Sequence, residues 1–426
     1  MSTVAESAAG RVRPYLRQGA FGNAVGLTCR ECGATEELGP HYVCRECFGP
    51  LEVAYELPEV SRAEIEAGPP NIWRYKALLP VPGDIETSPN TEPGFTRLLR
   101  ANNLGRELGI DRLWVKDDSG NPTHSFKDRV VACALSAARE LGSTVFACPS
   151  TGNLANAVAA AGARAGMRTV VFIPADLERP KVVASAVYTD SLVAVRGNYD
   201  EVNRLASEIA AEEEGWAFVN VNVRPYYAEG SKTLGYEVAE QLGWRLPDQV
   251  VIPVASGSQL TKVDKAFREL VELGLVEDKP YRVFGAQATG CSPVATAFKD
   301  GRDVVRPVKP DTIAKSLAIG NPADGPYVLD VCRRTQGAVE DVSETEIVEA
   351  IRLLARTEGV FAETAGGVTV GVLKKLVETG QLDPAKETVV LNTGDGLKTL
   401  DAVADLVGPA VTIDPTYAAF AQTQIR

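Results

Sequence analysis

Residues 112–165 read RLWVKDDSGNPTHSFKDRVVACALSAARELGSTVFACPSTGNLANAVAAAGARA, and their rhythm decides the fold. A β-branched apolar run, RLWVKDD at 112–118, gives way to a polar loop and then to an Ala/Leu-rich helical stretch at 130–141. A second run, STVFACPS at 143–150, leads through another small-residue loop to a second helical stretch at 154–165. Strand, helix, strand, helix is the pattern of a parallel sheet, whose crossovers run through helices. Outward from this stretch the alternation continues. Apolar runs stand at 169–176, 192–197, 218–222, 250–256, 281–287 and 388–394, with helical segments such as 200–214 and 344–359 between them. Residues 96–426 carry too much of this pattern for one sheet of ordinary width, so it predicts two α/β lobes, three-layered αβα, with a cleft between them.

The N-terminal quarter is different. Residues 1–25 are small and polar with scattered Arg and read as a loose tail. Residues 26–58 contain two tight cysteine pairs, Cys29-x-x-Cys32 and Cys44-x-x-Cys47, separated by 11 residues. Four thiolates at this spacing can surround Zn²⁺ tetrahedrally in a closed, structural site, a zinc-ribbon-like knuckle. A reduced, metal-free loop is the bland alternative, and His41, three residues before Cys44, is a possible substitute ligand. Residues 59–95 carry Pro69, Pro70, Pro80, Pro82, Pro89 and Pro93, which breaks regular structure and predicts a mostly extended linker. The catalytic unit is then 96–426.

Composition sets limits. With 44 Lys+Arg against 56 Asp+Glu the net charge is −12, which argues against a nucleic-acid partner. The 45% hydrophobic and 23% charged content is that of an ordinary globular chain. No apolar run reaches the roughly 18 to 20 residues that span a bilayer, and the first residues lack a signal-peptide pattern, so the expectation is a cytoplasmic protein without a membrane partner. Cys133, Cys148, Cys291 and Cys332 are scattered through apolar segments and read as core residues rather than disulfides.

In open α/β sheets ligands sit beyond the carboxyl ends of the strands, so the loops after the apolar runs carry the chemistry. The first, DDSGNPTHSFKDRVV at 117–131, puts Lys127 at a helix start beside Phe126 and Val130. The positive end of a helix and apolar neighbours disfavour an ammonium, which is what a Schiff-base lysine requires. In the second, Ser150, Thr151, Gly152 and Asn153 precede an Ala-rich helix and can aim hydroxyls and N–H groups at a carboxylate, although a plain N-cap turn has the same composition. The third, Ala255, Ser256, Gly257, Ser258 and Gln259, is small enough for backbone N–H groups to close on a phosphate. The fourth, LNTGDGLKTL at 391–400, places Thr393 before a Gly-containing turn.

SFKDR, STGN, the Gly/Ser-rich loop and NTGDGLK, in this order, resemble fold-type II pyridoxal-phosphate enzymes of the tryptophan synthase β-like class, and specifically the threonine synthase family. The likeness covers roughly residues 95–400. It implies that Lys127 carries the pyridoxal phosphate, that Asn153 lies beside the ring hydroxyl, that Ala255 to Gln259 bind the cofactor phosphate and that Thr393 faces the pyridine nitrogen. It further implies that Ser150, Thr151 and Gly152 hold the substrate α-carboxylate, that O-phospho-L-homoserine and water become L-threonine and phosphate, and that the assembly is a homodimer. Asp395 stands where the family's motif has His.

One loop departs further. The family carries Asn-Ser…Asn-Pro-x-Arg before EGQKT, whereas this chain reads NVNVRPYYAEGSKT at 220–233. Tyr227 occupies the Arg place, and Arg224, Asn222 and Lys232 become the candidates for the substrate phosphate, which needs cations and donors. The same lysine and carboxylate loops would also serve a β-replacement enzyme such as a cysteate synthase acting on O-phosphoserine. A homologue that binds the cofactor without turnover is a third reading.

Overall fold

The structure, a computed structural model, describes residues 16–150, 152–177, 179–197, 199–423 and 425. Its strands in chain order are β1 (Ala24–Cys29), β2 (Thr35–Glu36), β3 (Leu51–Tyr55), β4 (Arg97–Arg100), β5 (Leu113–Asp117), β6 (Val145–Pro149), β7 (Arg168–Pro174), β8 (Leu192–Val195), β9 (Trp216–Phe218), β10 (Gln249–Pro253), β11 (Arg282–Ala288), β12 (Ala338–Val342) and β13 (Thr388–Asn392). They form three sheets: β2-β1-β3, β12-β11-β10-β13-β5-β4 and β8-β7-β6-β9. The knuckle sheet is antiparallel. In the two larger sheets every ladder is parallel except the edge pair β4 and β5.

Alternation along the strands explains the layers. In β10, Val250 and Ile252 enter one apolar cluster while Val251 enters another; β13 divides the same way, Val389 and Leu391 against Val390. In β6, Phe146 and Cys148 face the first cluster and Val145 and Ala147 a third. Each larger sheet is therefore buried on both faces, as parallel sheets require, and the first cluster is shared by both. This common core joins the lobes and leaves the strand ends to form the cleft.

Two strands escaped the periodicity. β12, AVEDV, is interrupted by Glu340 and Asp341, which pair with Lys299 at 2.8 and 2.5 Å; an edge strand tolerates such charges where a central one would not. β4, RLLR, lies at the opposite edge. The run at 218–222 is a strand only as far as Phe218. Asn222 ends it, because its Oδ1 accepts the Phe218 N–H at 2.8 Å and its Nδ2 donates to the Trp216 carbonyl at 2.8 Å.

The N-terminal expectations need correction. Residues 1–15 of the expected tail lie outside the described residues, but 16–25 are anchored: Phe21 is buried and stacks on Tyr226 with centroids 4.9 Å apart. Nor are residues 59–95 an extended linker. They hold a short helix, Arg62–Glu66, and a 3₁₀ segment, Ile72–Leu78. Ile72, Trp73, Leu79, Val81 and Ile85 pack against Ala132 and Cys133 of the Lys127–Glu140 helix. Prolines exclude regular strands, but they do not prevent apolar residues between them from finding a core.

Behind the cleft lies a fully buried charge network. Arg129 donates to Asp118 at 2.8 Å from both Nε and Nη2, to Glu237 at 2.8 Å, and to the hydroxyls of Thr96 and Thr233 at 3.0 Å. Lys116 reaches the same Glu237 at 2.6 Å. The two cations hold the Glu237 carboxyl down at about 2 despite its burial. Removing one partner from such a network strands a buried charge, so Arg129→Met should cost about 3–5 kcal/mol, read as a lower urea midpoint. Arg204→Ala, which breaks an exposed pair with Glu208, should change stability by less than about 1 kcal/mol.

Candidate active site

Four loops at the carboxyl ends of β5, β6, β10 and β13 meet in one cleft that opens to solvent. Lys127, Asn153, the stretch Ala255 to Gln259 and Thr393 all line it. The first and fourth loops are tied by their backbones: Phe126 N–H donates to the Thr393 carbonyl at 2.9 Å and Asp395 N–H to the His124 carbonyl at 3.1 Å. Asp395, in the place of the motif's His, spends its carboxylate on the Leu397 N–H at 2.8 Å. Lys398 crosses back to the Thr123 carbonyl at 2.7 Å and to Asn156 at 3.1 Å.

Lys127 opens the helix Lys127–Glu140. Its ammonium lies 5.1 Å from the Phe126 ring centroid and 6.0 Å from that of Tyr227. The neighbouring Asp128 accepts the Thr123 N–H and hydroxyl at 2.8 Å each, while burial pushes its carboxyl up to about 6. Tyr227 thus takes the motif's Arg position as an aromatic wall, and a cation is missing from that place.

Glu363 is the residue that sequence reading did not find. It is 2% exposed and lines the cleft. Asn153 Nδ2 donates to one of its carboxylate oxygens at 2.8 Å, and the Thr393 hydroxyl to the other at 3.1 Å. Burial raises its carboxyl above the usual range, opposed by those two donors and by the positive charges of Lys398 and Lys127. Gly394 gives it room, since a Cβ there would stand 2.6 Å from the carboxylate. A lone acid directly before the apolar helix Thr364–Glu378 was the available signal.

The third loop is built without side-chain caps. Gly257 sits at φ +99° before the helix Ser258–Glu272, with no side chain capping the first turn. The Gln259 side-chain nitrogen is buried without a partner. Free helix N–H groups, an orphaned donor and a glycine cradle fit the phosphate of a cofactor anchored at Lys127.

Other candidates fall elsewhere. Ser150 is buried, its hydroxyl accepting the Gly152 N–H at 3.4 Å; Gly152 begins the helix Asn153–Ala165. Thr151 lies outside the described residues. Asn222 is consumed by the turn after β9, and Lys232 is fully buried, held by Glu229 at 2.8 Å, Glu269 at 3.1 Å and the Leu78 carbonyl at 2.8 Å. Neither lines the cleft. Lys232 opens a helix whose buried face meets acids from two other segments, and those acids claim it. Arg224 does not line the cleft either; it lies one turn before Tyr227, which does, partly exposed and bonded to Asp324 at 2.8 Å.

In the knuckle, the sulfurs of Cys29, Cys32, Cys44 and Cys47 all lie within 4.8 Å of one another, the one potential metal cluster among the described residues, and His41 is not part of it. N–H groups of Glu31, Glu46 and Gly49 point at the sulfurs of Cys29, Cys44 and Cys47 at 3.3–3.4 Å. Backbone donors, those of Cys32 first, lower the Cys29 thiol to about 7. The residues fit a four-thiolate metal site.

Residues 90–394 match the family model described as pyridoxal-phosphate dependent enzyme. Threonine synthase of Methanocaldococcus jannaschii is 37% identical over 380 residues, 88% of this chain and 93% of that protein. The threonine synthase of Methanosarcina acetivorans is 35% identical over 394 residues, 91% and 96% of the two chains. Among solved structures, the processed form of threonine deaminase isoform 2 from Solanum lycopersicum superposes with a TM-score of 0.62 at 21% identity, covering 76% of this chain and 92% of that one. That likeness concerns the fold.

The glycine cradle makes its own prediction. Gly257→Ala places a Cβ at positive φ and 2.7 Å from Val328, and should lower stability by about 1–3 kcal/mol in denaturant melts. Gly152→Ala, whose Cβ would meet nothing within 4 Å, should leave the melt unchanged.

Proposed function

This chain belongs to the pyridoxal-phosphate dependent enzyme family, among the threonine synthases, and from that premise we propose how its residues divide the work. The reaction is the conversion of O-phospho-L-homoserine and water to L-threonine and phosphate. Bound pyridoxal phosphate supplies an electron sink that acidifies the substrate's Cα–H and then its Cβ–H. The observation that carries the residue assignments is that Lys127, Asn153, the 255–259 loop and Thr393, which come from four separate strand ends, line one cleft.

Lys127 holds the cofactor and, once released, its Nζ moves the protons at Cα and Cβ. The rings of Phe126 and Tyr227 flank that nitrogen and limit the water around it. Ala255 to Gln259 take the cofactor phosphate. Thr393 faces the pyridine nitrogen and Asn153 the ring hydroxyl. Glu363, bonded to both, sets the orientation of the two groups that meet the ring edge. Ser150, Thr151 and Gly152 take the substrate α-carboxylate at the start of the Asn153–Ala165 helix. Of the three candidates for the substrate phosphate, Arg224 is the one whose donors are not already consumed in the interior. The phosphate leaves Cγ, Cγ gains a proton, water adds its oxygen at Cβ, and Cα regains a proton, which balances the reaction.

The cysteine cluster holds a structural Zn²⁺ in this reading. A cytoplasmic homodimer is its implied setting. Among the described residues no helix is long and apolar enough to cross a membrane.

Lys127→Ala should lower threonine formation from O-phosphohomoserine by about 10²- to 10⁴-fold or more and remove the borohydride-reducible link to the cofactor; turnover at the wild-type rate would discard the assignment. On the unmodified protein, metal analysis should give one zinc per chain and light scattering a dimer mass. Less than one zinc in protein prepared without chelator, or a monomer mass at micromolar concentration, would remove the corresponding statement.

A further inference from the structure

The knuckle lies outside the stretch that matches the pyridoxal-phosphate enzymes, which begins at residue 90, and a closed four-sulfur site offers no position to a substrate. Its Cys29-x-x-Cys32 turn is nevertheless not turned to solvent. Arg30, between the two cysteines, lays its guanidinium 3.5 Å from the Tyr327 ring centroid and donates to Asp324 Oδ1 at 3.3 Å. The Tyr327 hydroxyl donates to the adjacent Glu31.

Asp324 is the meeting point. It occupies the residue before the helix Gly325–Arg334, where an aspartate ordinarily accepts an N–H of the first turn, yet it makes no such cap. One oxygen goes to Arg30 and the other to Arg224, the latter at 2.8 Å. At 5% exposure a carboxylate requires such partners. Its backbone is fixed as well, since Asp324 N–H donates to the Ser256 carbonyl at 2.8 Å and a Cβ on Gly257 would meet Asp324 Cβ at 3.0 Å. Asp324 thus touches the phosphate loop of the cleft, the knuckle and Arg224 together.

We propose that Arg30 and Asp324 are positioning residues for Arg224, so that the cysteine knuckle shapes the substrate-phosphate side of the cleft. This rests on the reading of Arg224 as the phosphate contact. Sharing Asp324 between two guanidiniums leaves Arg224 less fully neutralised than a one-to-one pair would, which suits a contact to a dianionic phosphate. Without Arg30 the carboxylate neutralises Arg224 alone, and one of its two anchors is gone. Arg224 lies three residues before Tyr227 on the short helix Arg224–Glu229, on the same face, and Tyr227 lines the cleft. Arg224 bonds Asp324 and none of the residues assigned to the cofactor, so the proposal places the effect of its displacement on bound substrate.

The test uses the holoenzyme and four variants: Arg30→Ala, Arg30→Lys, Arg224→Ala and the double alanine variant. For each, kcat and KM for O-phospho-L-homoserine are measured together with cofactor absorbance and zinc content. Arg224→Ala should raise KM about tenfold or more, the usual scale for a charge-assisted contact. Arg30→Ala should raise KM several-fold at unchanged kcat, absorbance and zinc content, Arg30→Lys should recover most of the loss, and the double variant should be no worse than Arg224→Ala alone, because Arg30 acts through Arg224. If Arg30→Ala loses zinc, Asp324→Asn, which leaves the knuckle sequence intact, decides by the same rise in KM. A KM raised in Arg224→Ala but unchanged in Arg30→Ala and Asp324→Asn reduces the junction to a structural ion pair and overturns the proposal. An unchanged KM in Arg224→Ala removes the phosphate contact itself, and the positioning role with it.

Discussion

Everything at the cleft depends on the buried guanidinium of Arg129. It stands two residues after Lys127, and its donors bind the end of β5 through Asp118, a second helix through Glu237 and Thr233, and the segment before β4 through Thr96. A buried ion network adds little net stability compared with a well-packed apolar core, but it has few alternative arrangements. Its effect is to fix where the Lys127–Glu140 helix begins relative to the large sheet. Gly230 completes the constraint, because a Cβ there would stand 2.5 Å from the Arg129 carbonyl, so the loop after β9 closes directly on the same helix. Lys127 inherits its place from these contacts, with no strong bond of its own.

The cleft is arranged on the same logic of shared acceptors. Glu363 gathers Asn153 from the small lobe and Thr393 from the large sheet onto one carboxylate, which couples the two lobes across the cleft. Burial alone would favour the neutral acid. The donors and the nearby lysines favour the anion, and the balance lies above the ordinary carboxylate range.

The knuckle is joined to the core by charge as well as by apolar contact. Glu52 of β3 binds Lys262 of the Ser258–Glu272 helix, and Lys262 also binds the fully buried Glu229 at 2.5 Å. Lys265 adds the Val53 carbonyl at 3.1 Å, and burial pushes its ammonium down to about 8. Lys232 belongs to this junction. Its position in a Gly-containing turn after a strand has the appearance of a phosphate ligand, but three lysines and three glutamates drawn from four elements neutralise one another here, and no donor is left for the cleft.

What the sequence determined by itself was local and periodic. Alternating apolar runs and helical stretches specified parallel sheets with both faces covered, and the small-residue loops after the strands marked the ligand end, because side-chain period and chain direction follow from backbone geometry alone. The cysteine spacing likewise defined the cluster. Tertiary structure decided which charges remained available. Whether Lys232, Arg224 or Glu363 meets the cleft depends on groups tens or hundreds of residues away, such as Glu269, Asp324 and Thr393, and no local pattern records those partners. The packing of residues 59–95 and the tail's Phe21 have the same cause: apolar side chains between prolines go wherever a distant surface offers burial, and that surface exists only once the chain has folded.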